Sequence, residues 1–174
     1  MSELETYKID LKGMKEDRMA LEYDLNDSFF TSLDGAEVQS GALHVSVSIR
    51  KMTGLYELCF HTEGYVVVSC DLCLDDMQQP IDADNRLMVK LGDETNTEND
   101  ELIVVSEDDG VLDLSWFIYE FIALAIPIKH VHAPGKCNHA MTQKLEELST
   151  ARSSDEAKEV DPRWSALEKL KMKD

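Results

Sequence analysis

The sequence predicts an α+β fold, in which a mostly antiparallel β-sheet, either open or barrel-like, packs with one buried helix at about 113–126 and with peripheral C-terminal helices. Apolar and polar residues alternate along 41–51, as in a strand with one buried face. Two further β-rich runs follow at 55–61 and 64–70. At 174 residues, the chain has the length of one domain with an appendage.

The N-terminal segment predicts short elements only. Residues 6–9 and 19–23 are compatible with short strands. Asn26 or Asp27 can then cap a brief helix through the apolar residues that end at Leu33, because a side-chain oxygen at this position accepts from the free amides of the first turn.

The central strands carry the clearest pattern. Leu43, Val45, Val47 and Ile49 share one face of the first strand. The next two runs are separated by residues 62–64, a short connection with a glycine that is typical of a hairpin. In the first of these runs, Tyr56, Leu58 and Phe60 share one face of the strand. Cys59 and His61 lie on the opposite face. The pattern predicts a meander, with Cys59 as a buried or half-buried thiol.

A fourth strand is expected from Ile81 to Leu91, entered after Pro80. Residues 93–109 then contain eight acids and no base, interrupted by the apolar run 102–105. We interpret this segment as a solvated loop that flanks an edge strand. The alternative interpretation is an acidic lure for a basic partner.

The helix at about 113–126 is apolar on nearly all faces, which predicts that it lies deep in the core. Asp113 or Ser115 can cap it, and Pro127 ends it because proline disfavours helical geometry in the preceding residue. Glu120 is its one acid. No second acid, nucleophile or glycine-rich loop accompanies this carboxylate, so we expect it on the least buried face or bonded to the sheet rather than in catalysis.

The chain is expected to divide into three parts. Residues 1–148 form a single α+β core domain, which ends in a short helix, and residues 149–160 form a flexible linker of small and charged residues. Residues 161–174 form a basic amphipathic tail, in which Pro162 takes a permitted first-turn position.

The charge argues against broad phosphate binding. The 35 acidic and 17 basic side chains give a formal net charge of −18, which repels DNA and other nucleic acid unless the bases gather in one patch, and which favours basic partners. The N-terminal residues predict no secretory signal, and the longest apolar stretch is too short to span a membrane. We therefore expect a cytoplasmic protein without membrane contact, whose four cysteines are thiols or metal ligands.

Four residues have the composition and spacing of a split metal site: Cys70, Cys73, His132 and Cys137. Zinc suits thiolate and imidazole ligands in a tetrahedron, and two distant ligand pairs would fix the sheet to the loop after the buried helix. His130 and His139 compete for the fourth position. The alternatives are a decayed metal site and an ordinary strand end and loop.

The same cysteines admit a rival function. Cys70 and Cys73 can serve a thiol-based redox or metal-responsive protein, although the activated cysteine of such a pair normally opens a helix in a βαβ unit, whereas this pair ends a meander. The zinc-deaminase signature of His-x-Glu with Pro-Cys-x-x-Cys is absent from the sequence. We therefore expect no enzyme.

Three blocks of the sequence form a recognisable set: CDLCL at 70–74, YEFIALAIPIKHVHAPGKC at 119–137 and DPRWSALEKLK at 161–171. In order and spacing over about 36–171, they resemble the bacterial YceD family of large ribosomal RNA subunit accumulation proteins. Leu72 departs from the family's C-x-R-C-L pattern, so any contact made by that arginine is missing here. The resemblance implies accumulation or processing of large-subunit ribosomal RNA, hence ribosome assembly, without catalysis.

The resemblance implies a ribosomal protein, large-subunit ribosomal RNA or a pre-ribosomal particle as partner. The acidic body would engage a basic ribosomal protein, and the basic tail would engage RNA or a partner groove. Alternatively, the tail docks on its own core. The tail residues proposed to bind the partner are Arg163, Trp164, Leu167, Lys169, Leu170 and Lys171.

Overall fold

The fold is α+β, as the sequence predicts. The computed structural model describes residues 3–92 and 102–150, and within them the chain forms seven strands and three α-helices after a 3₁₀ turn at Glu3–Tyr7. In chain order the elements are β1 Lys8–Asp10, β2 Arg18–Leu25, α1 Asp27–Ser32, β3 Gly41–Met52, β4 Leu55–Ser69, β5 Asp76–Gly92, β6 Leu102–Ser106, β7 Val111–Asp113, α2 Ser115–Ala125 and α3 His139–Thr150.

The main sheet has the strand order β2-β3-β4-β5-β6. Its first four strands form the expected antiparallel meander, and β6 runs parallel to β5 as the predicted edge strand. Within the described residues, β2 and β6 each pair on one side only, so the sheet is open and the barrel-like alternative is not formed. A separate two-stranded sheet pairs β1 with β7.

The predicted hairpin at residues 62–64 is wrong. β4 is one continuous strand of 15 residues that passes through Gly64, and it pairs with β3 on one side and β5 on the other. Gly64 has a φ of 141°, and a Cβ there would lie 2.3 Å from the backbone oxygen of Ala42. The glycine therefore permits a close approach of two strands rather than a turn.

The core lies on one face of the sheet. The paired residues Val47 and Phe60 project to that face, where the Phe60 ring contacts the ring of Phe121 from α2 at a centroid distance of 5.1 Å. Helix α1 begins as expected, because the Asn26 side chain accepts from the Ser28 amide. Its Phe30 is fully buried in the same cluster.

Helix α2 is less deeply buried than its composition predicts. Its buried residues, which include Ile118 and Ile122, lie on one side, whereas Trp116 is 42% and Leu124 is 79% exposed. Asp113 accepts from the Ser115 amide and hydroxyl at 2.9 and 2.6 Å, which fixes the start of the helix. Glu120 lies on the exposed side and accepts from the Trp116 indole at 2.8 Å.

The opposite face of the sheet carries polar side chains. On β3 these are His44, Ser46, Ser48 and Arg50, which alternate with the buried residues. We call this the open face. The adjacent residues of β2, β4 and β5 lie in register with them on the same face.

The chain divides into two compact units, Met1–Cys137 and Asn138–Asp174. In the second unit the described residues form helix α3, which ends at Thr150 within the predicted linker. The rest of that linker and the predicted tail lie outside the described residues. Among the residues that are described, no helix combines the length and apolarity that a membrane crossing requires.

Candidate metal centre

The first pair of candidate ligands lies in the turn between β4 and β5. The Cys70 amide donates to the Asp75 oxygen, and the Leu74 amide donates to the Cys70 oxygen, each at 2.9 Å. Leu74 has a φ of 63°, a left-handed conformation that is uncommon for a residue with a side chain. This tight turn, rather than residues 62–64, is the hairpin connection, and it buries both thiols: Cys70 is 0% and Cys73 is 1% exposed.

The second pair lies in the segment that follows helix α2. The Asp71 amide donates to the His130 oxygen at 3.0 Å, and the Asp71 carboxylate accepts from the His130 amide at 2.7 Å. These two reciprocal bonds dock residues 127–137 on the cysteine turn. The His130 ring lies between the two segments, with Nδ1 3.0 Å from the Pro127 oxygen of its own loop and Nε2 3.7 Å from the Asp71 carboxylate.

All four predicted ligands come together. One ligand atom from each of Cys70, Cys73, His132 and Cys137 lies within 4.8 Å of the others. The Sγ atoms of Cys70 and Cys137 are 3.9 Å apart, and His132 Nδ1 lies 3.4 Å from the Cys73 Sγ and 4.0 Å from the Cys137 Sγ. The competing residues His130 and His139 are not part of this cluster.

The Cys70–Cys137, Cys73–His132 and Cys137–His132 distances are close to the edges of a tetrahedral metal site. Metal–sulfur bonds of about 2.3 Å and metal–nitrogen bonds of about 2.0–2.1 Å place neighbouring sulfurs about 3.8 Å apart and a sulfur and nitrogen about 3.6 Å apart. The cluster can therefore hold a metal ion. His132 would ligate through Nδ1, which leaves the ring proton on Nε2.

The turn stabilises negative charge on one sulfur. Burial alone would raise the pKa of the Cys70 thiol, but hydrogen bonds from the backbone of Cys73, His132 and Leu72 oppose it and lower this pKa to about 6. Burial and the thiols of Cys70 and Cys73 raise the pKa of Cys137 to about 11. Neighbouring thiolates repel one another, so full ionisation of the cluster calls for a cation at its centre.

Some functional residues escape prediction from the sequence. Asp71 supplies no ligand atom, and its docking role becomes visible only when the two segments meet; an Asp inside the C-x-x-C turn is its one signal in the sequence. Cys59 is exposed on the open face rather than buried or half-buried. The six predicted partner-binding residues of the tail lie outside the described residues.

The part of the chain that matches known proteins includes both pairs of candidate ligands. The sequence profile described as large ribosomal RNA subunit accumulation protein YceD matches residues 58–171, a narrower span than the resemblance at 36–171. The uncharacterized protein YlbN of Bacillus subtilis (strain 168) is 25% identical over 115 residues, which is 66% of this chain and 66% of that protein, slightly less than two thirds of either. Comparison with solved structures finds no match. Because the profile covers well over half of the sequence, including the candidate metal centre, the chain belongs to the YceD family.

Proposed function

We propose that this protein is a non-enzymatic, cytoplasmic factor that supports the accumulation of large-subunit ribosomal RNA during ribosome assembly. It acts by binding a ribosomal protein or the RNA itself. The observation that carries the proposal is the family match over 58–171, whose description names the large-subunit RNA. The net charge of −18 adds an electrostatic reason for a basic ribosomal protein as partner.

The metal centre supports a structural rather than a catalytic role. A catalytic zinc keeps one position open for water or substrate, whereas here four protein side chains surround one point and two of them are fully buried. We propose zinc as the metal, because it favours three thiolates and one imidazole in a tetrahedron. The ion would hold the segment 127–137 on the β4–β5 turn, and so fix the surface around it.

The redox alternative has one observation in its favour, the low pKa of Cys70. A redox thiol must also be accessible, and Cys70 and Cys73 are both buried. Their turn joins two strands and does not open a helix. Burial and context therefore favour the structural metal over thiol exchange.

Affinity capture from cells tests the function. The full-length protein, expressed with an affinity tag in its own host, is captured from lysate with and without nuclease. We expect large-subunit components to be enriched over small-subunit components. If their recovery survives nuclease, the contact is with a ribosomal protein; if nuclease abolishes it, the contact is with RNA.

Depletion of the protein supplies the matching cellular measurement. The ratio of large- to small-subunit ribosomal RNA should fall in depleted cells and recover on re-expression of the wild-type chain. An unchanged ratio, together with capture of metabolic enzymes alone, would contradict the proposed function.

A further inference from the structure

All three arginines of the described residues lie on the open face, at the same end of the sheet. Arg18 on β2 pairs with Arg50 on β3, and Arg50 pairs with Glu57 on β4. Arg86 on β5 pairs with Cys59, which lies two residues after Glu57 on β4 and on the same face. Directly paired residues share a face with their Cβ atoms about 4.5–5.5 Å apart, so the three arginines stand close together on one face of neighbouring strands.

Glu57 holds two of these arginines in place. Its carboxylate accepts from Arg50 Nη2 at 2.6 Å through one oxygen and from Arg86 Nε at 3.0 Å through the other. The Glu57 side chain is only 11% exposed, whereas both arginines are more than half exposed. A guanidinium carries five N–H donors, so each arginine is oriented by the carboxylate and retains donors for a second acceptor.

Arg18 adds a third positive charge. Among the residues that the structure describes, no acidic group lies within ion-pair distance of its guanidinium. It faces Arg50 across the strand pair, an arrangement of like charges that is unfavourable without an anion between them. Counting these four side chains alone, three arginines and Glu57 give a charge of about +2 on a strongly acidic protein, while Asp10, Lys15 and Glu16 line the adjoining hollow beside Arg18.

The arginines border a hollow floored by small side chains. It has a volume of about 580 Å³, and Ala20, Ser48 and Cys59 lie between the charged residues that line it. We call this hollow the arginine trough, which consists of Arg18, Ala20, Ser48, Arg50, Glu57 and Cys59, with Arg86 at its border. Its floor leaves room for a group that approaches the guanidiniums from solvent.

The far end of the open face has the opposite charge. Beyond the trough, the cross-strand neighbours on the open face include five acids: Glu22, Asp24, Glu63, Asp82 and Asp84. A long polyanion that lay along the whole face would therefore be repelled. The trough can accept one or two anionic groups, which must arrive from the side or at a bend of the ligand.

We propose that the arginine trough binds the backbone phosphate of an RNA segment, and that it is the point at which this protein touches large-subunit ribosomal RNA. The inference rests on the proposed function. Oriented guanidiniums match the paired oxygens of a phosphate, and the charge-assisted bonds are stronger than neutral ones. Such a contact is local, so its affinity depends weakly on salt compared with proteins that bind many phosphates.

A second copy of this chain fits the face less well. A two-fold axis between two such faces, parallel to the sheets and perpendicular to the strands, would place each basic end on an acidic end, which satisfies the charges. It would also lay one concave trough over the face of the partner and leave a void where a stable interface needs close packing. The size of the trough and its excess positive charge both favour a phosphate.

Substitution of Arg18 tests the proposal most cleanly, because no ion pair within the described part of the chain depends on this side chain. The full-length proteins are Arg18→Glu, Arg18→Gln and, as a control of equal charge change, Lys144→Glu on the exposed surface of α3. The probe is large-subunit ribosomal RNA purified from the host's ribosomes. We expect Kd to rise about tenfold or more for Arg18→Glu, less for Arg18→Gln and negligibly for Lys144→Glu. The slope of log K against log salt should become shallower by about 0.7 for each phosphate that the variant no longer neutralises.

Cys59 provides a footprint of the same site. It is the exposed one among the four cysteines, so iodoacetamide should modify it first, and bound RNA should slow that reaction severalfold. A Cys59→Ser protein identifies the labelled position. Wild-type affinity in Arg18→Glu, or unchanged alkylation of Cys59 at saturating RNA, would overturn the proposal.

Two further outcomes also overturn it. If the wild-type chain binds no ribosomal RNA but its depletion lowers ribosomal RNA levels, the contact is with a protein and the proposed function stands without this site. If sedimentation shows a concentration-dependent dimer that Arg18→Glu dissociates, the open face binds a second copy.

Discussion

At the scale of single residues, Asp71 holds the two segments of the candidate metal centre together although it is not one of the four candidate ligands. Its backbone amide and its carboxylate both bond to His130. The four ligands themselves are foreseeable from the sequence, because cysteine and histidine pairs at close spacing predict a metal site. The role of Asp71 is not foreseeable from the sequence, since it depends on a bond to His130, 59 residues further along the chain.

On the open face, the pKa of His44 depends on its neighbours and can be measured. A hydrogen bond to the Asp24 carboxylate at 2.8 Å raises the pKa of His44 above its ordinary 6.5. Partial desolvation of the ring lowers this pKa, but by less. The charges of Asp24, Glu22 and Glu63 also raise this pKa. Because the folded pKa exceeds the unfolded one, the pair stabilises the fold fully below pH 6.5 and loses that contribution as pH rises through the folded pKa.

We therefore expect an NMR titration of His44 to give a midpoint above 6.5 in the wild-type protein. Asp24→Asn should bring the midpoint down towards 6.5, because the hydrogen-bonding carboxylate is removed. Asp82→Asn, on the same face, is the control with a smaller expected change. A wild-type midpoint at or below 6.5 would contradict the ion pair.

At the scale of elements, β4 separates what a residue pattern can and cannot predict. The alternation of apolar residues gives the buried faces of β3 and β4 correctly, because side chains alternate along any strand. By the same kind of local rule, the sequence Thr-Glu-Gly at 62–64 predicts a turn, but in the structure these residues lie inside strand β4. β3 has 12 residues, and their continuous pairing requires β4 to extend through Gly64.

Gly64 and Gly54 give a matched pair of substitutions. Both have positive φ, but a Cβ on Gly64 would lie 2.3 Å from the Ala42 oxygen and 2.7 Å from the Leu43 Cα, whereas Gly54 has nothing within 4 Å. Gly54→Ala should cost roughly 1–2 kcal/mol of unfolding free energy, from backbone strain alone. Gly64→Ala should cost about 3 kcal/mol or more, because strain and a backbone clash add.

Urea unfolding followed by circular dichroism measures both values, with the m-value as a check that the transition remains two-state. Equal losses for the two variants would mean that β3 and β4 do not approach as closely at Gly64 as the structure has them. Local sequence carries no sign of this clash, since it depends on the partner strand.

At the scale of the whole molecule, the Cys/His cluster joins parts of the first unit that are far apart in the sequence. Cys70 and Cys137 are 67 residues apart and approach to 3.9 Å. The sequence predicts the ligands and the sheet, but not the path of the loop that joins them, because that path depends on the docking of Asp71 and on the end of α2. Binding of an ion to the folded cluster alone must stabilise the fold by mass action.

We expect the purified protein to contain one zinc ion per chain by mass spectrometry of the metal, and Cys137→Ser to contain much less. A zinc concentration of about 1,000 times Kd stabilises the fold by about 4 kcal/mol, which for a chain of this size corresponds to a Tm higher by roughly 10 °C. Addition of a chelator should therefore lower Tm by that amount in the wild-type protein and little in Cys137→Ser. Cys59→Ser, which removes an exposed thiol outside the cluster, should retain both the metal and the chelator effect. If chelation left the wild-type Tm unchanged while the metal was removed, the four side chains would pack without an ion and the cluster would not depend on metal for its stability.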